Sequence, residues 1–332
     1  MSQMTSGMSS HKNIFSTEQS NDLSLLIGDH ETQESEGGEA DLHKYIVGCK
    51  KNPGHKQFIP VDKFTLKHLP EGLQDNDLYE CIKLSADLTV RVAVEMISPN
   101  RPKFWPKTIQ PYPFYNVSNT KPLRTGSGRV CYVKKYQNEV RQDLKCWCRK
   151  CLHSDSPSNE WWEFYVTTAT HVVFDDIEAR HTTLRLFYDR NDSPVLIVDK
   201  VSVDYVNIEY DSFRLKCVTC DKTLGNKLMD IRKHYQNVLK KVFEKDFFSR
   251  PKQKLNFIVS HPHGCSKQVS IGQWTNKLEM GYTCKFTYTT CTCPGSSGAR
   301  VHCVGYNDWW YDHVHSGSIK SGLNYSGVGY VS

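Results

Sequence analysis

The sequence predicts a mainly β protein built from antiparallel strands. Short runs of β-branched and aromatic residues recur after residue 124, and most of them are not separated by helical patterns. Such spacing is typical of an antiparallel sandwich or barrel. One further stretch, 228–243, has apolar residues at helical spacing and predicts an inserted or bridging helix. The strand-like runs are 129–134, 161–167, 182–188, 195–198, 213–218, 255–259 and 284–289.

The composition favours a soluble intracellular protein without a nucleic-acid or membrane partner. The chain has 332 residues, of which 38% are hydrophobic, enough for one large or two modest domains. No signal-peptide pattern and no apolar run of membrane-spanning length occurs, so we expect a cytoplasmic location. The 13 cysteines, an odd number without an export signal, indicate thiols. The net charge of +6 is dispersed, apart from a modest cluster over 227–254.

The composition changes twice along the chain and predicts three regions. Residues 1–40 are rich in Ser, Thr, Gln, Glu and Gly, and we expect a disordered tail. Residues 41–120 are predicted to be a β-rich region, because 86–96 alternates apolar and polar residues and 46–49 reads as a strand. This region ends in a proline-rich connector. The main domain is then expected over 121–332.

The main domain carries the four parts that acyl-transfer chemistry needs: a nucleophile, a base, a carboxylate to orient the base, and amides for the oxyanion. His171 follows a predicted strand, where an imidazole can project into a cleft, and Asp211 stands directly before another strand. The glycines of Gly295-Ser-Ser-Gly298 allow a tight turn with its amides on one side. The sequence therefore predicts His171, Asp211 and a serine of this turn as a catalytic group.

The order His, Asp, Ser and the local motifs resemble the trypsin/chymotrypsin superfamily of serine proteases (PA clan). The nearest resemblance is to the trypsin-like domain of the high-temperature-requirement proteases. The motifs that carry it are Gly126-Ser-Gly128, Thr168-Ala-Thr-His-Val-Val173, the stretch 261–272, and Pro294-Gly-Ser-Ser-Gly-Ala299. The resemblance covers roughly residues 125–305.

The resemblance implies two antiparallel six-stranded β-barrels and a serine endopeptidase that acts on protein or peptide substrates through an acyl-enzyme. Ser297 would be the nucleophile, His171 the base and Asp211 the residue that orients it. The backbone amides of Gly295 and Ser297 would form the oxyanion hole. No cofactor and no metal is expected. Because Ala299 and Arg300 replace the family's Gly-Pro, a catalytically inactive protease-like protein-binding module is the alternative.

Three alternatives concern the catalytic group and its surroundings. Ser296 competes with Ser297 as nucleophile, and Asp204 competes with Asp211 as the orienting carboxylate. In this superfamily the region after the nucleophile loop shapes the specificity pocket, so His313 or His315 could face an acidic substrate side chain. Aromatic packing is the alternative role for these two histidines.

Two further questions concern the cysteines. Cys146, Cys148, Cys151 and His153 form a short C-x-C-x-x-C-x-H pattern that could bind zinc or remain as reduced thiols in a loop. Cys293, next to the nucleophile loop, is expected to be a small buried residue. The sequence leaves the oligomeric state open.

Overall fold

The computed structural model describes residues 27–117, 122–137, 145–306 and 312–330. It confirms a mainly β protein with two antiparallel sheets. The first sheet has eight strands in the order β8-β7-β4-β5-β6-β10-β9, with β2 paired to β5. Its strands are β2 (Gln33–Ser35), β4 (Thr89–Val94), β5 (Leu123–Gln137), β6 (Glu160–Thr168), β7 (Thr182–Leu186), β8 (Leu196–Val198), β9 (Val201–Asn207) and β10 (Ser212–Thr219).

The second sheet has nine strands in the order β1-β15-β16-β13-β12-β11-β14, with β17 paired to β13 and β3 to β12. The N-terminal residues supply β1 and β3 here and β2 in the first sheet, which helps to raise both strand counts above the expected six. The strands are β1 (Asp29–His30), β3 (Ile59–Pro60), β11 (Leu255–Ser260), β12 (Gln268–Met280), β13 (Thr283–Tyr288), β14 (Val301–Cys303), β15 (His315–Ser318), β16 (Asn324–Ser326) and β17 (Gly329–Tyr330).

The long helix α5 (Lys222–Asp246) confirms the helix predicted over 228–243. The side chain of Asp221 caps its first turn by accepting a hydrogen bond from the amide of Leu224. Its apolar side packs on α2 (Asn76–Leu88) within one core that also includes residues of both sheets. No helix in the described parts of the chain is both long and apolar enough to cross a bilayer. The shorter helices are α1 (Leu42–Val47), α3 (Arg149–Leu152), α4 (Asp176–Arg180) and α6 (Arg250–Gln253).

The N-terminal region differs from the expectation in two ways. Residues 27–40, which were expected to belong to a disordered tail, include strands β1 and β2; residues 1–26 lie outside the described residues. Region 41–120 has fewer strands than expected, and the strand expected at 46–49 is wrong because Ile46 and Val47 end helix α1. Strand β4 pairs with β5 and β7, so the first sheet draws on both sides of the boundary proposed near residue 121.

A buried carboxylate joins the proline-rich segment to the main domain. Glu178 of α4 receives hydrogen bonds from Arg101 Nε (2.7 Å) and Nη2 (2.8 Å) and lies 3.1 Å from Arg124 Nη2. The side chains of Glu178 and Arg124 are fully buried. The guanidinium of Arg101 also donates to the carbonyl of His171, at 3.2 Å from both Nη atoms. The proline-rich segment thereby fixes the backbone of the predicted catalytic histidine.

Replacing this carboxylate should destabilise the protein. Burial alone would raise the pKa of Glu178, but the hydrogen bond from Arg101 and the charges of Arg124 and Arg101 outweigh burial and hold the pKa below 4.5. Glu178→Gln leaves two buried guanidinium groups without their anion, so the free energy of unfolding in urea should fall by about 3–5 kcal/mol. The exposed Glu244→Gln, which removes a surface pair with Lys240, should change it by less than about 0.5 kcal/mol.

The pH dependence of unfolding gives a second readout. A carboxyl group whose pKa is lower in the folded state stabilises the fold above the pKa of the unfolded chain, and this contribution is lost as the pH falls. The wild type should therefore lose more stability than Glu178→Gln between neutral pH and about pH 3. Parallel stability curves for the two proteins would contradict the assignment.

Candidate active site

The structure brings His171, Asp211 and Ser297 together between the two sheets. His171 follows β6, Asp211 precedes β10, and Ser297 lies in the loop between β13 and β14. Nε2 of His171 lies 2.7 Å from Ser297 Oγ, and its Nδ1 lies 2.9 Å from Asp211 Oδ2 and 3.0 Å from Oδ1. This arrangement lets the imidazole take a proton from the serine while the carboxylate fixes the tautomer with hydrogen on Nδ1.

Asp211 is held by hydroxyl groups as well as by the imidazole. Thr170 Oγ1 donates to Oδ1 at 2.8 Å and Ser316 Oγ donates to Oδ2 at 2.6 Å. Burial alone would raise the pKa of Asp211, but the charge of His171 and these hydrogen bonds keep it below 3.8. The carboxylate therefore stays ionised beside the imidazole at neutral pH. Asp204, the alternative in the sequence, pairs instead with Arg214 on the neighbouring strand.

The two glycines of the nucleophile loop are required by its shape. Gly295 and Gly298 have φ of +95° and +83°, the left-handed region that favours glycine. A Cβ on Gly298 would lie 2.2 Å from Thr168 Oγ1, and one on Gly295 would lie 2.4 Å from the carbonyl of His261. The Oγ of Ser296 points away from His171, because it lies 3.1 Å from Ser260 Oγ. Only Ser297 of the two serines therefore contacts the imidazole.

The backbone amides of the loop converge on one carbonyl oxygen. The N–H groups of Gly295 and Ser297 donate to the carbonyl of Glu31 at 2.6 Å and 3.3 Å. The amide of Glu31 donates to Ser297 Oγ at 3.0 Å. Gly295 and Ser297, whose amides the sequence comparison suggested as an oxyanion hole, thus direct both N–H groups at one peptide carbonyl of this same chain. Ser297 and His171 are fully buried beneath this segment.

The segment around Glu31 crosses the cleft in extended form. Before Glu31, β1 pairs antiparallel with β15, with His30 opposite Gly317. After Glu31, β2 pairs antiparallel with β5, with Gln33 opposite Thr125. The ring of His30 packs 5.8 Å from that of His171. The peptide bond between residues 31 and 32 therefore lies at Ser297 with its two flanks held by different sheets.

The side chain of Glu31 lies in a closed polar pocket. Its Oε2 is 2.8 Å from Nε2 of His315, and its Oε1 pairs with the ammonium group of Lys51. Lys51 also donates to Thr292 Oγ1 at 3.1 Å and Asn324 Oδ1 at 2.8 Å. The Glu31 side chain is 4% exposed, so its charge depends on these partners.

His315 faces the acidic side chain of Glu31, whereas the role considered for it from sequence was to face an acidic side chain of a substrate. Burial, with the charges of Lys51 and His171, holds the pKa of His315 well below 6.5, so the ring is neutral. The hydroxyl of Tyr288 lies 2.6 Å from Nδ1 of His315. Because a carboxylate can only accept, the contact between Nε2 and Glu31 places the ring hydrogen on Nε2. Nδ1 is then an acceptor for the Tyr288 hydroxyl, which also lies 3.1 Å from the carbonyl of Tyr325.

His313 takes the other role, aromatic packing. Its ring lies edge-on to Phe286 at 5.1 Å, and its Nε2 is 3.1 Å from the carbonyl of Cys284. Glu31 and Lys51 were not found by sequence reasoning, because both precede the region that resembles a protease. The only sequence signal for this pocket was the pair of histidines after the nucleophile loop.

Among the residues that the structure describes, two groups of side chains have the chemistry of a metal site. Sγ atoms of Cys146, Cys148 and Cys151 lie within 4.8 Å of one another, and Cys220 Sγ is 3.5 Å from that of Cys148. Cys220 therefore lies beside this group of three thiols, and His153 is not one of its members. The second group was not expected from sequence and lies beside the nucleophile loop: Cys49, His55, His263 and Cys293.

Comparisons with known proteins place the chain near proteases of solved structure. An HtrA-type protease, AlgW with a decapeptide, matches with 13% identity over 76% of this chain and 62% of that chain, with a TM-score of 0.37. The Rv3671c protease from M. tuberculosis, in its active form, matches with 11% identity over 76% of this chain and 82% of that chain, with a TM-score of 0.37. No family model and no curated protein matches the chain.

Gly298→Ala should destabilise the protein by more than the free-energy cost of a left-handed backbone at that residue. Gly298 and Gly322 share a φ of +83°, but a Cβ on Gly322 would meet nothing within 4 Å. Gly322→Ala therefore measures the cost of the left-handed conformation, about 1–2 kcal/mol. Gly298→Ala should lower the free energy of unfolding by about 1–3 kcal/mol more, because the nucleophile loop must move. Equal decreases in the free energy of unfolding for the two variants, measured in urea, would show that the loop accommodates a Cβ at residue 298.

Proposed function

We propose that the chain is a serine endopeptidase that uses Ser297 as nucleophile, His171 as general base and acid, and Asp211 to orient the imidazole. The backbone amides of Gly295 and Ser297 stabilise the oxyanion. The observation that carries the proposal is the short contact between His171 Nε2 and Ser297 Oγ at the same place where both amides bind a peptide carbonyl. A serine activated for some other purpose would not need that hole.

The reaction follows from these contacts. Ser297 Oγ attacks the substrate carbonyl carbon as His171 Nε2 takes its proton, and the negative charge forms on the oxygen held by Gly295 and Ser297. The imidazolium gives the proton to the leaving nitrogen, and the C–N bond breaks to leave an ester on Ser297. Water then repeats the sequence, with His171 again taking and returning a proton, and releases the new carboxylate.

A fluorophosphonate probe tests the proposal on the full chain. Because residues 29–35 cover Ser297, labelling is measured on the wild type and on Glu31→Arg, whose cation would be repelled by Lys51 and displace the segment. We expect one labelled serine, identified as Ser297 by peptide mass. Ser297→Ala should abolish labelling. Asp211→Asn should slow labelling by about 10⁴-fold, because the imidazole would then adopt the wrong tautomer.

Ser296→Ala is the matched control, because it removes a hydroxyl from the same loop and should leave the probe on Ser297. A folded chain in which neither the wild type nor Glu31→Arg reacts would contradict the proposal. That outcome would favour the inactive protein-binding module instead.

A further inference from the structure

We infer that the chain cleaves itself between Glu31 and Thr32 and that its substrate pocket selects a glutamate before the scissile bond. This inference rests on the proposed function, because it assigns a substrate to the same site. Four observations place the bond: the Glu31 carbonyl in the oxyanion hole, the Glu31 amide on Ser297 Oγ, and the two antiparallel pairings on either side. Together they hold residues 29–35 as a bound substrate.

The cleavage has a defined outcome. The ester forms between Ser297 Oγ and the Glu31 carbonyl carbon, and the Thr32 nitrogen leaves with the proton that His171 carried. Hydrolysis of the ester returns the Ser297 hydroxyl and gives Glu31 a terminal carboxylate. Thr32 becomes a new amino terminus, and β2 stays paired with β5.

The preference for glutamate follows from the pocket. Lys51 supplies a positive charge to one carboxylate oxygen, and His315 supplies a hydrogen-bond donor to the other. Glutamine at this position would leave the Lys51 ammonium without its anion, and aspartate is one methylene too short to keep both contacts. A basic residue would place two cations together.

The test follows the fate of the full chain made by pulse-labelled cell-free translation. The wild type should be converted to a chain that begins at Thr32, identified by intact mass and amino-terminal sequencing, with a half-time independent of chain concentration. The Ser297→Ala chain should remain uncleaved. Glu31→Gln should slow conversion by at least about 100-fold, and Glu31→Arg should block it.

Two further variants distinguish an effect of the Glu31 pocket from a general effect of changing segment 29–35. Glu36→Gln changes an exposed acid just beyond β2 and should cleave at the wild-type rate. Lys51→Met is also introduced into the wild type and into Glu31→Gln. The ratio of cleavage rates between glutamate and glutamine at residue 31 should then be smaller than it is with Lys51 present. A purely structural role of Lys51 would leave that ratio unchanged. Equal rates for Glu31→Gln and wild type would overturn the glutamate preference.

The outcomes also distinguish this inference from the proposed function. If the probe labels Ser297 in Glu31→Arg but the wild type stays joined at 31–32, or is cut elsewhere, self-cleavage is overturned and the endopeptidase stands. If the wild type stays joined and Ser297 is unreactive in both proteins, the proposed function fails and self-cleavage fails with it.

A second inference is independent of catalysis: we propose that Cys49, His55, His263 and Cys293 bind a zinc ion. Cys49 Sγ is 3.6 Å from Cys293 Sγ, which is 3.5 Å from His55 Nε2, and that nitrogen is 3.1 Å from His263 Nε2. Zinc bonds of about 2.3 Å to sulfur and 2.0–2.1 Å to nitrogen, at tetrahedral angles, separate the ligand atoms by about 3.3–3.8 Å. The four atoms thus stand close to the corners that zinc requires.

The surroundings of the four ligands also suit a metal. Nδ1 of His263 lies 2.8 Å from Gln33 Oε1, which accepts its hydrogen and leaves Nε2 free to bind. The amide nitrogen of Asn52 lies 3.4 Å from Cys49 Sγ, and its side-chain Nδ2 lies 3.1 Å from Cys293 Sγ, so both can donate to thiolates. Two thiolates with two imidazoles favour zinc over magnesium or calcium. The proposal departs from the sequence expectation that no metal is bound.

Metal analysis of the full chain tests the zinc site. We expect Cys49→Ser and His55→Asn each to hold one zinc per chain fewer than the wild type, whatever the Cys146 group contributes. Cys131→Ser, a cysteine of β5 outside both groups, should keep the wild-type content. Unchanged zinc in the first two variants would overturn the site.

Cobalt gives a second measurement. The wild-type chain, stripped of metal and titrated with Co²⁺, should develop the sulfur-to-metal absorption of thiolate ligands; Cys49→Ser should develop less of this absorption, and Cys131→Ser should match the wild type. Loss of the two thiol hydrogens from Cys49 and Cys293, seen by mass, would show a disulfide there and contradict the zinc site.

Discussion

The geometry of the site depends on one serine that precedes it in the chain by 170 residues. Ser127 of β5 donates through its amide to the carbonyl of Ser297 at 2.7 Å, and through its hydroxyl to the carbonyl of Gly295 at 2.8 Å. Its hydroxyl accepts from the amide of His261 at 2.9 Å, and its carbonyl accepts from Thr168 Oγ1 at 2.8 Å. With both loop carbonyls held from the β5 side, the amides of Gly295 and Ser297 must face the cleft. A strand of the first sheet thereby orients the two amides that we propose as the oxyanion hole, although their loop belongs to the second sheet.

The N-terminal region completes what Ser127 begins. Arg101 fixes the carbonyl of His171 while it neutralises Glu178, so the proposed base is held by a segment outside the part of the sequence that resembles a protease. Lys51 reaches the substrate pocket from the same region. The proposed zinc ion would have a similar effect, because it would connect Cys49 and His55 of the N-terminal region to Cys293, next to the nucleophile loop. A chain reduced to residues 121–332 would therefore keep the three reacting groups and lose much of what positions them.

The parts of the site that sequence could predict are those encoded locally. His171, Asp211 and the loop at 295–298 each sit in a short motif at a strand end, and their order along the chain suffices to relate them. The strand runs and helix α5 were predictable for the same reason, since their periodicity is local. Residues 29–35 carry no such pattern: they are polar, and they become β1 and β2 only because two distant strands, β15 and β5, offer edges to pair with. Helix α1 was mistaken for a strand because its short apolar run, Ile46 and Val47, fits either structure.

The same pairing explains why cleavage and access to the cleft belong together. A segment tethered within the chain competes with any free peptide at an effective concentration in the millimolar range, so other substrates enter only when it leaves. Before cleavage, β1 is anchored through Glu31 to β2, and both strands must separate together. Once the bond after Glu31 is broken, β1 is held by two residues of pairing, by the Gly28 amide on the Tyr325 hydroxyl, by the His30 ring against Phe114 and by the Glu31 pocket, but no longer by β2. The cut therefore converts an occupied cleft into one that can exchange its occupant, and the pocket lined by Lys51 and His315 is then open to other glutamates.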